Sequence, residues 1–277
     1  MIKLFLKRFF YYVDVTSLDV FIGTLGMLFF IEDSFHADTV PFDYQLSIAV
    51  VIWLSYLTDH IIDANLLKQK LLPRHSFFIN NKAAIYWWVV FMFLTIPLLI
   101  FHLEMKFLIQ YGVLAMVFIF CRWIFRKHSW THSIIIALGY SIGVFSPYIY
   151  FNEFSFLELP VWMFFLMVFS FSLANIFVIN FLEKEDDYNE KQITIFNREG
   201  DVFKFKNLVL IVSPIVAVVA LMLWQKAGFY LLASTIFIFA FGYFKNEANK
   251  KYLKPLVELS LGLPFLFTFL NYLFTRI

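Results

Sequence analysis

The sequence predicts an all-α integral membrane protein, with nine transmembrane helices around a central cavity, a cytosolic N-terminus and an external C-terminus. Three observations carry this. The chain of 277 residues is 61% hydrophobic and 15% charged, with a mean hydropathy of +0.77, where soluble domains average about 45–50% apolar and about 25% charged. Apolar runs near the ~20 residues needed to cross a bilayer fall at 13–31, 44–63, 84–101, 107–123, 132–150, 159–182, 207–225, 228–244 and 255–274. The basic residues are also distributed very unevenly between the segments that join these runs.

With the N-terminus inside, the inner segments hold Lys3, Lys7 and Arg8; Lys68, Lys70, Arg74 and Lys82; Arg122, Arg126 and Lys127; Lys184, Lys191, Arg198, Lys204 and Lys206; and Lys245, Lys250, Lys251 and Lys254. The outer segments hold only Lys106, Lys226 and Arg276. Cytoplasmic loops carry the excess of Lys and Arg, and an even number of spans would scramble this split. The chain therefore reads as one transmembrane domain over residues 1–277 in a cytoplasmic membrane, crossing it many times.

The first run, 13–31, follows Lys3, Lys7 and Arg8 and superficially resembles a signal peptide. Asp14 and Asp19 interrupt it and no small-residue cleavage site follows, so it is expected to be a retained helix. An acid such as Asp19 inside a span is a functional candidate by default, or pairs with a neighbouring helix. The outer segment 32–43 is acidic and has no Lys or Arg. The second run, 44–63, ends in Ser55-Tyr-Leu-Thr-Asp59-His-Ile-Ile-Asp63. Asp59 and Asp63 are four residues apart, which puts both carboxylates on one helix face. A paired oxygen-only site suits a hard divalent cation. Lys68, Lys70 and a Pro73-Arg74-His75 turn follow in a polar inner loop over 64–83.

The sixth run, 159–182, also runs outside to inside and also ends in acids, Glu183-Lys184-Glu185-Asp186-Asp187, within a polar loop over 183–206. Taken alone this is an ordinary solvated loop. The topology places it on the same membrane face as Asp59 and Asp63. Two facing carboxylate groups hold divalent cations that clamp a diphosphate, and nearby Lys and Arg contact its remaining oxygens.

These two stretches resemble the motifs of the UbiA family of membrane prenyltransferases. That family has nine transmembrane helices and two aspartate-rich motifs on the cytosolic side. Its first motif steps Asn, Asp, Asp at intervals of four, often before an Arg-Pro turn. Here the positions read Ser55, Asp59 and Asp63, then Pro73-Arg74. The second motif is similar to Glu183-Lys184-Glu185-Asp186-Asp187, with Lys191 beyond it. Arg126-Lys127-His128-Ser129 with Gly139, Gly143 and Pro147 is loosely similar to the family's basic turn and glycine-bearing fifth helix. Ser55 stands where the family has Asn, and Glu183 where it has Asp.

The resemblance implies Mg²⁺-dependent transfer of an isoprenyl group from an isoprenyl diphosphate to a lipophilic or aromatic acceptor. It implies metal ligation by Asp59, Asp63, Glu183, Asp186 and Asp187, with Asp59, Asp63 and Asp187 catalytic. Ser55, Lys68, Arg74, Arg126, Lys127 and Lys191 are the implied substrate contacts, and the isoprenoid tail would lie in a lipid-open cavity between helices. The motif departures keep open a relative without catalysis. The intramembrane acids keep open a cation- or proton-coupled transporter, although transporter sites lie near the midplane and these acids gather at one face.

The remaining features carry less. Glu258 is four residues from Lys254 and pairs with it. His128 and His132 share a helix face, where a metal is the less common occupant. Gly139 and Gly143 form Gly-x-x-x-Gly, which marks close helix packing. Cys121 is the only cysteine, so no intramolecular disulfide forms. Soluble phosphate-binding glycine motifs are missing, and nothing points to nucleic acid.

Overall fold

The structure, a computed structural model, describes residues 8–9, 11–13, 15–35, 40–66, 73–101, 103–125, 129–152, 158–189, 225–243 and 250–275. Every element among them is helical: α1 (Leu18–Phe35), α2 (Phe42–Leu66), α3 (Pro73–Asn80), α4 (Lys82–Ile100), α5 (Met105–Ile124), α6 (Ser129–Phe151), α7 (Leu159–Asn189), α8 (Gln225–Tyr243), α9 (Lys250–Leu259), a 3-10 turn (Ser260–Gly262) and α10 (Leu263–Thr275). The expected span at 207–225 lies outside the described residues except for its last position. Each of the other eight expected runs coincides with a helix or, for 255–274, with a broken pair.

Two segments, Thr131–Phe151 in α6 and Val161–Glu183 in α7, are long and apolar enough to cross a membrane; Met105–Cys121, Ala227–Ile238 and Leu256–Leu270 are apolar and shorter. Large apolar side chains face outward on many helices. Trp87, Phe91 and Leu94 of α4, Met116 and Phe120 of α5, Phe229 and Phe237 of α8, and Leu266 and Phe269 of α10 are all exposed. Exposed apolar surface on this scale marks a membrane or partner face in a folded protein.

Hydroxyls are satisfied within their own helices, as apolar surroundings demand. Ser47, Ser55, Ser141, Ser172, Ser234 and Thr235 each donate to the carbonyl four residues earlier, at 2.6–2.9 Å. Pro147 inside α6 has no N–H for the Gly143 carbonyl; the Ser146 hydroxyl donates to that oxygen instead, at 2.7 Å.

The core joins α1, α2, α6, α7, α8 and α9, with Phe30, Phe145, Phe164, Phe171 and Tyr148 fully buried. α6 packs on both α2 and α7, and α7 also packs on α8 and α9. The antiparallel register of α2 and α6 is fixed at two levels. A Cβ built on Gly143 would lie 3.4 Å from Ile52 Cδ1, and Gln45 Nε2 lies 3.5 Å from the Tyr148 hydroxyl. Asn180 Nδ2 on α7 reaches Ser133 Oγ on α6 at 3.4 Å.

Four expectations change. The first helix begins at Leu18, because Ser17 adopts a left-handed backbone (φ 51°) that interrupts the helical residues before it. The Pro73-Arg74-His75 turn is the first turn of α3, where the missing proline N–H would be unpaired anyway. The acidic stretch read as loop from 183 is the end of α7, helical to Asn189. The last run is not one helix. Pro264 has no N–H to give the Ser260 carbonyl; that oxygen accepts the Leu263 N–H in a 3-10 turn. The break lets Gly262 meet α1, where a Cβ on Gly26 would fall 2.7 Å from Gly262 Cα.

Candidate functional site

Ser55, Asp59 and Asp63 follow one another at one-turn intervals along the C-terminal half of α2. Ser55 Oγ donates to Val51 O at 2.9 Å, and its side chain lines a cavity. Asp59, one turn on, is half-buried. Asp63 is on the same face by helical spacing; its side chain lies outside the described residues. His60 is buried beside them, its ring 6.4 Å from those of Tyr56 and Phe78.

The cavity, of about 280 Å³, lies between α2, α5 and α6. Its walls are almost wholly apolar: Ile52, Leu108, Leu114, Phe118, Ile136 and Ile142 are typical. Among the described residues it is a groove between α2 and α5 with α6 behind it. Exposed lining residues such as Val51 and Ile119 open it sideways. Gly139 and Gly143, expected to mark close helix packing, sit at close approaches of α6 to α5 and α2 and also line this cavity. A Cβ on Gly139 would meet the Phe118 ring at 3.1 Å. One end of the cavity is Ser55 and Tyr56; the other is Ser47, Leu103 and Phe107.

Glu183 sits near the end of α7 and is 6% exposed. Its Oε1 lies 3.2 Å from Lys254 Nζ on α9, and the same ammonium lies 3.7 Å from Glu258 Oε1. The expected Lys254–Glu258 pair is therefore present and is shared with Glu183. The link between α7 and α9 continues at Asn175, whose Nδ2 donates to Val257 O at 2.6 Å. A buried carboxylate needs such a partner. Lys254 was legible as a partner for Glu258 from its spacing; its reach to Glu183 across helices was not. Asp19 is fully buried in the first turn of α1, where Oδ1 accepts the Val20 N–H at 3.0 Å.

Register places the two acidic stretches at one end of the bundle. Ile52 is level with Gly143 on α6, so the ends of α2 beyond Asp59 approach the N-terminal end of α6. Asn180 is level with Ser133, so Glu183 and the last turns of α7 lie at that same end. α6 stands against both helices. Asp186 and Asp187 belong to the last turn of α7 and Arg74 to the first turn of α3, with side chains outside the described residues. Lys68, Arg126, Lys127, His128 and Lys191 lie outside them entirely. Among the described residues, no group of three His, Cys, Asp or Glu is placed to hold a metal ion. Of the five expected ligands, only Asp59 and Glu183 have described side chains.

Compared with protein-family models, curated proteins and solved structures, the chain matches none. What the arrangement offers chemically is an apolar groove that ends one helical turn from a half-buried carboxylate. Ser55 belongs to both. Sequence reasoning did not single out Phe107, Gly112 and Tyr140 as groove residues; nothing in their spacing distinguishes a groove wall from a lipid-facing or core position.

Proposed function

We propose that the protein is a nine-span membrane enzyme that transfers an isoprenyl group from an isoprenyl diphosphate to a lipophilic or aromatic acceptor, with Mg²⁺, at the cytosolic face of a cytoplasmic membrane. The observation that carries this reading is the apolar groove that reaches Ser55, one turn before Asp59 and two before Asp63. A molecule with a hydrocarbon tail and a multiply charged head fits that junction. The shared end of the bundle for α2 and α7 supports the pairing of their acids. The exposed apolar side chains on many helices support the multi-span reading.

Asp59 and Asp63, with Asp186, Asp187 and Glu183, would hold Mg²⁺, which neutralises the diphosphate so that it can leave. Asp59 and Asp63 supply oxygens only, as a hard cation requires. Lys68, Arg74, Arg126, Lys127 and Lys191 would bind the remaining diphosphate oxygens. The allylic C–O bond breaks with both electrons going to the diphosphate. The groove would exclude water from the resulting cation, and Tyr56 and Phe118, which line it, are aromatic rings that would attract its charge. The acceptor then bonds to that carbon and releases a proton.

The test is Mg²⁺-dependent release of diphosphate from geranyl or farnesyl diphosphate by the purified protein. Loss of release in Asp59→Ala and Asp187→Ala supports the reading; no binding of Mg²⁺ or of any isoprenyl diphosphate by the wild type ends it. One observation favours a second reading. Glu183 is engaged by Lys254, and a ligand tied into a structural pair suits a relative that binds the isoprenoid without turning it over. Binding without release under any acceptor would select that alternative.

A further inference from the structure

The groove carries a chain-length assignment, which rests on the proposed function. Along α2 it runs from Ser47 to Tyr56, along α5 from Phe107 to Ile119, and along α6 from Ile135 to Ser146. At about 1.5 Å rise per residue these paths measure about 14, 18 and 17 Å. With carbon–carbon bonds of about 1.5 Å, an isoprene repeat of four chain bonds extends about 5 Å. Three repeats therefore fill the groove and a fourth does not. Its volume, about 280 Å³, lies just below the range of ligand cavities, about 300 to 1,000 Å³.

The far end is firmly closed. Phe107 is 3% exposed and is boxed by Tyr44, Tyr111 and Tyr150, with ring centroids at 5.0, 4.6 and 5.3 Å. Tyr44 stacks edge-on to Phe151 at 4.6 Å, and its hydroxyl accepts the Glu104 N–H at 2.8 Å. Tyr150 in turn donates to Glu104 Oε2. These contacts tie the start of α5 to the ends of α2 and α6, so the aromatic plug does not yield to a longer chain. Midway along the groove, Gly112 leaves room on α5: a Cβ built there meets no heavy atom within 4 Å.

We infer that the groove selects a three-unit, fifteen-carbon isoprenyl diphosphate, with Phe107 as the floor that ends the chain and Gly112 as the position that keeps the middle of the groove open. A fourth unit must leave sideways between α2 and α5 and loses its enclosure.

The experiment is binding of C10, C15 and C20 isoprenyl diphosphates to the full-length protein in detergent with Mg²⁺. Wild type is expected to prefer C15 over C10 by about tenfold or more, since each enclosed methylene adds severalfold in affinity, and to gain nothing further with C20. Phe107→Ala should move the optimum to C20, and Gly112→Leu should move it to C10. If Phe107→Ala does not fold, Gly112→Leu decides, because the leucine enters open space. Equal affinity for all three chains, or an optimum that stays at C15 in the folded variants, overturns the length assignment alone. No binding at any length overturns the proposed function with it.

Discussion

At the scale of single residues, the acids divide into two kinds. Asp59 is half-buried one helical turn beyond the end of an apolar groove, whereas Glu183 and Glu258 are buried around one ammonium. Removing the ammonium leaves charge uncompensated in a dry site, which costs about 3–5 kcal/mol when one partner of a buried pair is deleted. Lys254→Met should therefore lower stability by about 3 kcal/mol, read as a fall in thermal midpoint in detergent. Adding Glu183→Gln should recover part of that loss. Asp59→Asn should abolish Mg²⁺-dependent binding in a protein that still folds; binding that persists would mean that Asp59 is not a ligand. The sequence made Asp59 and Asp63 visible as charges ending an apolar run. It could not separate Glu183 from them, because the partner of Glu183 lies 71 positions along the chain, on α9.

At the scale of elements, apolar length and flanking charge made the helices legible. Their breaks were legible only where proline chemistry was weighed against a neighbour. Pro147 leaves α6 continuous because Ser146 serves the orphaned carbonyl. Pro264 ends a helix because the Ser260 carbonyl turns to Leu263 and Gly262 gains a close approach to α1. That approach tolerates no side chain: a Cβ on Gly26 would sit 2.7 Å from backbone. Gly26→Ala should destabilise by about 1–3 kcal/mol through overpacking. Gly112→Ala, in open space on an exposed helix, should be neutral or stabilise by up to about 1 kcal/mol through helix propensity. Thermal unfolding of both variants checks the contrast; equal effects would place the α1 contact wrongly. Gly139 and Gly143 also mark close approaches, because a Cβ on Gly139 would meet the Phe118 ring at 3.1 Å and one on Gly143 would lie 3.4 Å from Ile52 Cδ1.

At the scale of the whole molecule, the proposed orientation rests on the charge asymmetry, and the α2–α6–α7 register brings the ends of α2 and α7 to one end of the bundle. Together they predict that residues near Lys70 are cytosolic and that the acidic segment around Asp38 is external. In a Cys121→Ser background, Asp38→Cys should label with an impermeant maleimide in intact cells, and Lys70→Cys only after permeabilisation. The reverse pattern would invert the topology and move the acids to the external face. The groove itself was beyond sequence reading, since its walls of Leu, Ile and Phe are the same residue types that elsewhere on the helices are exposed.

The claim at the centre of this account is that the groove and Asp59 together form one site for an isoprenyl diphosphate. Isothermal titration of farnesyl diphosphate into the purified full-length protein, with and without Mg²⁺, in wild type and Asp59→Asn, tests it most directly. Saturable one-to-one binding is expected, requiring Mg²⁺ and disappearing in Asp59→Asn. Binding that is indifferent to Mg²⁺ and to Asp59, or no binding at all, would contradict it.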